Sequence, residues 1–182
     1  MARREETGLT FEAPDDWVDR TMITYTAQQR PGEAMAPTLV VTRDDLRATD
    51  SVQTYADRHL LQLCELPGFA LVDSGKRTIG EGYPAVFLRF HWRPQAALVD
   101  QCAILVEATG ATGREVRLFT TSTLADNSAK DGPRFEAILK TVRLTTGKGP
   151  AGGAPPPAPP SPDPAPFDVP IPMPGYPRDR KR

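Results

Sequence analysis

The stretch Gly80–Val106 constrains this chain most. It reads Gly80-Glu81-Gly82, an alternating run Tyr83–Arg93, a Pro94-Gln95 turn, and a second alternating run Leu98–Val106. Alternation with a period of two is the signature of a strand, so the stretch predicts a β-ribbon. A turn centred on Pro94-Gln95 sets Trp92 opposite Ala97, Phe90 opposite Val99, Leu88 opposite Gln101 and Val86 opposite Ala103. That face is apolar except for Gln101. On the other face Phe87 meets Cys102, His91 meets Leu98, and Arg89 meets Asp100 as an opposite-charge cross-strand pair. A two-stranded ribbon cannot bury this much apolar surface alone, so other elements must lie against both faces.

The flanking sequence supplies them. Leu9–Ala13 alternates up to Pro14, and Asp15-Asp16-Trp17 then forms a turn that returns Trp17 to the core. Thr21–Ala27 and Pro37–Arg43 are rich in β-branched and aromatic residues around a Pro31-Gly32 loop, and read as a hairpin or meander. Asp50 and Gln53 have capping-box spacing, and Val52, Tyr55, Ala56, His59, Leu63 and Leu66 recur at three- and four-residue steps. This predicts a helix from Asp50 that ends at Leu66-Pro67-Gly68. Phe69–Ile79 is the next extended run; after the ribbon come a Gly110–Gly113 turn and another strand, Arg114–Thr123. Asp131-Gly132-Pro133 opens a second helix, with Phe135, Ile138, Leu139 and Val142 on its apolar side. The expected fold is α+β: an antiparallel sheet of six to seven strands flanked by two helices.

Composition divides the chain. From Gly147 onward, 13 of the 20 prolines fall within the last 36 residues, without Leu or Trp, so this part cannot bury enough apolar area to offset its entropy. The expected organisation is a disordered start over 1–7, a folded domain over 8–146 and a disordered proline-rich tail over 147–182. The tail carries a net charge of +2 and the remainder −3, neither of which suggests a nucleic-acid surface. Positive charge at Arg3-Arg4 is followed by no apolar run, and no window approaches the roughly 20 apolar residues of a membrane span. A cytoplasmic chain without direct membrane insertion is expected. Cys64 and Cys102, in a helix and a strand, read as buried small hydrophobes.

Catalytic and cofactor motifs are missing from the sequence. Gly80-Glu81-Gly82 precedes a strand and reads as a turn, as does Gly75-Lys76, which lacks a P-loop's upstream glycine. His59, Cys64, His91 and Cys102 lack the close paired spacing of a zinc site. With no Gly-x-Ser-x-Gly and no His-Glu-x-x-His, no hydrolytic machinery is visible. We therefore expect no catalytic activity, no cofactor and no metal.

The informative residues are polar ones in apolar company. Gln101 shares a face with Leu88, Phe90, Val99 and Ala103, while His59 and Gln62 border the apolar helix stripe. A buried amide needs hydrogen-bond partners. Backbone or water can supply them, or the groups can belong to a groove that is apolar in area and hydrogen-bonding at a few points, suited to an apolar helix.

Several motifs together resemble the DcrB-related family: Phe11…Pro14…Trp17…Asp19-Arg20-Thr21, Leu66-Pro67-Gly68-Phe69, and Tyr83-Pro84-Ala85…Leu88-Arg89-Phe90…Trp92. Within it, the chain most resembles the Eag chaperones of bacterial type VI secretion. The resemblance implies a fold like that of PsbP and Mog proteins, a homodimer and no catalysis. It also implies a cytoplasmic role: holding the N-terminal transmembrane helices of a secreted effector in an apolar groove until they are loaded onto the secretion spike. Carried over by position, the groove residues fall at Ile23, Tyr25 and Val40, at His59 or Gln62 with Leu63 beside them, and at Gln101, with Leu88, Phe90 and Val99 extending the apolar area. His59 departs from the amide found at that helix position. The tail lies outside the resemblance, and its Phe167–Tyr176 segment, apolar among prolines, reads as a disordered linker or as a docking peptide for a secretion spike component or for the chain's own groove. The alternative function is a PsbP- or Mog-like interaction module that binds a soluble folded partner.

Overall fold

The computed structural model describes residues 2–6, 9–13, 21–110 and 113–144, the first two ranges as backbone alone. In chain order these form β1 (Ala2–Glu6), β2 (Leu9–Ala13), β3 (Met22–Thr26), β4 (Thr38–Asp45), α1 (Val52–Leu63), β5 (Ala70–Ile79), β6 (Tyr83–Trp92), β7 (Val99–Thr109), β8 (Arg114–Leu124) and α2 (Ser128–Lys140). β1 and β2 pair with each other, from Ala2 opposite Ala13 to Glu6 opposite Leu9. Residues 2–6, expected to be disordered, are thus a strand whose ladder bonds come from its near neighbour in sequence. The other six strands make one antiparallel sheet in the order β3-β4-β8-β7-β6-β5. This is the expected α+β architecture; the expected turn at Asp15–Trp17 and the tail fall outside the described residues.

Both faces of the sheet carry a core, as the alternation requires. On one, Val86, Leu88, Phe90 and Trp92 of β6 join Val99, Ala103 and Leu105 of β7 beneath Ala56 of α1. Phe90 and Leu105 are fully buried there. On the other, Ala85, Ile104, Val106, Phe119, Leu39 and Ile79 lie with Leu139 of α2. Gly80 makes the second docking work. Its φ of +55° is open to glycine, its N–H donates to the Leu139 carbonyl at 2.9 Å, and a Cβ would sit 2.1 Å from the Val142 carbonyl oxygen. The Gly-Glu-Gly turn thus also seats the end of α2.

The central hairpin differs in register from its expectation by two residues. Trp92 faces Val99, Phe90 faces Gln101, Leu88 faces Ala103 and Val86 faces Leu105; on the reverse face Phe87 meets Ile104, Arg89 meets Cys102 and His91 meets Asp100. The cause is Arg93, whose N–H donates to the Pro67 carbonyl at 2.7 Å and so leaves the ladder, lengthening the connection to Arg93–Leu98. A shift of two keeps every side chain on its face, so Gln101 stays among the apolar residues. The Arg89–Asp100 pair survives as a diagonal contact, bidentate at 3.0 and 2.7 Å.

Local chemistry corrects the helix ends. α1 is capped by Ser51, whose Oγ accepts the Thr54 N–H at 3.1 Å, while Asp50 pairs with Arg58 and leaves the cap to its neighbour. The helix stops at Leu63, and the chain turns through Gly68, at φ +64°, into β5. Cys64, expected to be buried, is exposed at that end. α2 begins at Ser128, so Asp131 lies inside its first turn and is not its cap; the carboxylate is bound elsewhere, as described below.

Candidate functional site

The sequence-derived groove residues divide into three groups. Leu88, Phe90 and Val99 are buried under α1, at 4%, 0% and 2% exposure, so they belong to the core and cannot meet a partner. Ile23 and Tyr25 pair with Val41 and Leu39, on the face covered by α2. Val40 pairs with Thr24 and lies on the opposite face, so Ile23, Tyr25 and Val40 do not share one surface. Parity decides this, since one residue of offset turns a strand position to the other side. The residues of β3 that do share Val40's face are Met22, Thr24 and Thr26.

Val40, His59, Gln62, Leu63 and Gln101 are brought to one side of the sheet. α1 lies chiefly over β6 and β7, and its core reaches Val116 and Leu118 of β8; among the described residues, the rest of β8 with β4 and β3 forms a wing beside it on that face. The register puts Ser122, Thr38 and Thr26 in one row of the wing, Thr120, Val40 and Thr24 in the next, and Leu118, Thr42 and Met22 in a third. Val40, Thr38, Thr42 and Thr120 are half-buried, and Met22, Thr24 and Thr26 are exposed. Such a floor offers methyl groups for area and hydroxyls for hydrogen bonds. None of the threonines was singled out from the sequence, because threonine in a strand is ordinary; only the pairing of β4 with β8, seventy-odd residues downstream, collects them.

On the helix side, Tyr55 donates its hydroxyl to Asp44 of β4 at 2.8 Å, which turns that stripe of α1 toward the wing. One turn on, His59 and Gln62 follow on the same stripe and are joined by a hydrogen bond. Burial holds the His59 pKa below its ordinary value, partly opposed by that bond, so the imidazole is neutral at pH 7. Leu63 is half-buried and packs on the core.

Gln101 stands at the foot of the wing, between Phe90 and Ser122 in the ladder. Its Oε1 accepts the Trp92 Nε1–H at 2.8 Å. Because an indole nitrogen only donates, that bond fixes which way the amide lies and leaves Nε2 with its two hydrogens. Gln101 is half-buried, and Nε2 makes no hydrogen bond among the described residues.

The α2 side of the sheet has a different chemistry. A cleft of about 330 Å³ there is lined by Arg77, Arg89, Asp100, Cys102, Glu136 and Phe135, among others. Its arginines are paired: Arg77 binds Glu136 in bidentate fashion and Arg89 binds Asp100. Burial pushes the Cys102 thiol up to about 11, well away from a reactive thiolate. Among the described residues, no group of three or more His, Cys, Asp or Glu is arranged to hold a metal ion, and no helix is long and apolar enough to cross a membrane.

A buried carboxylate that sequence reading took for a helix cap ties this side together. Asp131, at 0% exposure, accepts from Thr123 Oγ1 at 2.8 Å and from Arg30 Nη2 at 2.7 Å. Burial alone would raise its pKa; the bonds from Thr123 and Arg30 outweigh it and hold the carboxyl below the usual range. Arg30 also meets Glu33, and Asn127 donates to the same Glu33 oxygen, so the β3–β4 loop is fastened to the start of α2.

These features define an α+β sheet domain with paired arginines on one face and, on the other, a threonine-rich wing beside an amide that is oriented by Trp92. The DcrB family model matches residues 9–141, and the chain belongs to the DcrB family. Among solved structures, it is similar to PA94 of Pseudomonas aeruginosa, described as a protein of unknown function and a candidate regulator, with 21% identity and a TM-score of 0.65 over 80% of this chain and 97% of that one. It is also similar to LpqN of Mycobacterium tuberculosis, described as involved in cell envelope biogenesis, with 20% identity and a TM-score of 0.50 over 71% of this chain and 78% of that one. At these identities the likeness is one of fold. No curated protein matches the chain.

Proposed function

We propose that this protein is a cytoplasmic, non-catalytic chaperone of the Eag kind, which shields the N-terminal transmembrane helices of a type VI secretion effector until they are loaded on the secretion spike. Membership of the DcrB family supports the class. The observation that carries the reading is Gln101: a half-buried amide, oriented by Trp92, whose Nε2 makes no hydrogen bond among the described residues, at the foot of a sheet wing that runs from half-buried at β4 to exposed at β3. A client helix laid on the wing buries apolar area against Val40, Met22 and the threonine methyls, while the donors and hydroxyls meet its occasional polar atoms. Because the drive is area and not shape, helices of varied sequence can be accepted.

The test is co-expression of the full chain with the proteins encoded beside it, followed by purification without detergent. The expected result is a co-purified effector with an apolar N-terminal helix pair. Gln101→Glu keeps the acceptor for Trp92 but replaces the donors with a carboxylate; it should lower client recovery about tenfold, equivalent to about 1.4 kcal/mol, without altering thermal unfolding. Undiminished recovery would reject the wing as the client surface. A co-purified partner that is soluble and lacks an apolar helix pair would favour the interaction-module reading.

A further inference from the structure

Of the two edges of the six-stranded sheet, only one is guarded. β5 carries Asp73, Lys76 and Arg77 and a bulge between Leu71 and Asp73, features that keep other strands away. β3 at the opposite edge has no charge, no proline and no bulge, and no described strand pairs with its outer side. The Ala27 N–H donates to the Pro37 carbonyl at 2.9 Å, one pair beyond the β3–β4 register. Bonded pairs alternate in an antiparallel ladder, so Ile23 and Tyr25 direct their backbone groups at β4, and Met22, Thr24 and Thr26 direct theirs away from the sheet. On the α2 side Ile23 and Tyr25 stand 47% and 63% exposed, and Tyr25 lines a cleft with Phe135 and Ile138.

The sequence holds a segment whose pattern fits such an edge. From Ser161 to Pro174 every second residue is proline except Asp168. In a strand the N–H and C=O of one residue point one way and those of its neighbours the other, so Val169-Pro170-Ile171-Pro172-Met173-Pro174, once extended, has its three donors on one edge and its three prolines on the other. A strand of this kind can pair along one edge only. Val169, Ile171 and Met173 each precede a proline, which biases them to extended backbone and lowers the cost of ordering them. The earlier half of the run has Ser161, Asp163 and Ala165 at those positions, which bring a charge and little apolar area.

We infer that the outer edge of β3 is the docking site of the chain's own Val169–Pro174 segment, added antiparallel as one more strand. Val169 then exchanges backbone bonds with Thr26, Ile171 with Thr24 and Met173 with Met22, three bonding residues against three. Pro170 stands opposite Tyr25 and Pro172 opposite Ile23 in the close, non-bonded positions, so the proline rings cover the two exposed side chains. Val169, Ile171 and Met173 fall on the wing face and extend its apolar area, and neither strand brings a charge to the seam. The new outer edge offers carbonyls but no N–H between Pro170 and Pro174, which closes the sheet to further pairing. An apolar helix could cover the side chains but has no free backbone groups to offer the edge. The tether is long enough. Leu144 donates its N–H to the Tyr83 hydroxyl of β6 at 3.3 Å, and β6 lies four strands from β3, about 19 Å at roughly 4.8 Å per strand. Residues 145–168 extend to about 74 Å at about 3.1 Å per residue. Tethering holds the segment at a high effective concentration, so a docking weak between separate molecules suffices. The proposal stands whether or not the wing receives a client.

The experiment is amide hydrogen exchange of the purified full chain across a dilution series. The expected result is slow exchange at Met22, Thr24 and Thr26 that dilution does not change. Ile171→Pro removes the central donor yet keeps the segment apolar and proline-rich, and should speed exchange at those three amides at least about tenfold. Pro172→Ala adds an N–H only to the outer edge and should leave them slow. The Ile23 and Tyr25 amides, bonded to β4, should stay slow in both variants and report an intact sheet. Fast exchange at the three outward amides of the unsubstituted chain overturns the proposal, because the edge is then bare. Protection that fades on dilution makes a second copy the occupant and overturns it too. So does protection that survives Ile171→Pro, which assigns the cover to other residues, or protection lost equally in Pro172→Ala, which marks a polyproline helix instead of a strand. Client recovery is not among these readouts, so this proposal and the chaperone reading can fail separately.

Discussion

The two faces of the sheet are stabilised by different means. Beneath α1 the contacts are apolar, with Gln101, His59 and Tyr55 bringing polar atoms at the rim. Beneath α2 a smaller apolar cluster shares the space with bidentate ion pairs and a fully buried aspartate. The first face should thus be sensitive to lost volume and the second to lost charge. The wing, half-buried at β4 and exposed at β3, lies on the apolar face.

The largest test of that contrast is Phe90→Ala. At 0% exposure, with Phe69 packed 5.4 Å away, it should lose about 3–5 kcal/mol in denaturant unfolding. A loss below about 1 kcal/mol would show that the α1 face is not the dominant core. Next is Asp131→Asn, which takes the buried charge from Arg30 and leaves it only Glu33, and should cost about 2–3 kcal/mol, read the same way. It carries a pH signature as well. The folded carboxyl titrates below the value of 3.8 it has when unfolded, so its contribution is present above that pH and lost as pH falls through the folded value. The variant should flatten this acid limb of the stability curve; an unchanged limb would assign it to other carboxylates. The smallest effect is expected at His59. Its folded pKa is depressed below 6.5, so the unfolded chain takes up the proton first and stability declines as pH falls from 6.5 toward the folded value. His59→Gln should remove that shallow limb and change stability at pH 7 by less than about 1 kcal/mol. A limb that persists in the variant would exclude His59 as its source.

The architecture was legible because alternation and capping are local. Residues 83–93 and 98–106 announce strands, and their faces survived a register error because the slip was by two. That error came from a bond between Arg93 and Pro67, a contact that no pattern within the hairpin encodes. The candidate surface was less legible for the same reason. Gln101 stood out as an amide in an apolar run, and Val40, His59, Gln62 and Leu63 lie on the same side of the sheet as it does. Ile23 and Tyr25 lie on the other side, because their facing depends on the pairing of β3 with β4 and not on either strand alone. Asp131 looked like a cap since its partners, Thr123 and Arg30, are distant from it in sequence or in a different element.

The strand order also has a consequence for how the chain is made. β4 finds its inner neighbour in β8, which leaves the ribosome roughly 70 residues later, about 4–14 s at roughly 5–20 residues per second. For that interval the β3–β4 hairpin has both long sides open, including the threonine and valine positions that β8 will later flank. The nascent hairpin is therefore the moment of greatest exposure to wrong pairing, and substitutions that speed its aggregation should act during synthesis while leaving the finished protein's stability unchanged.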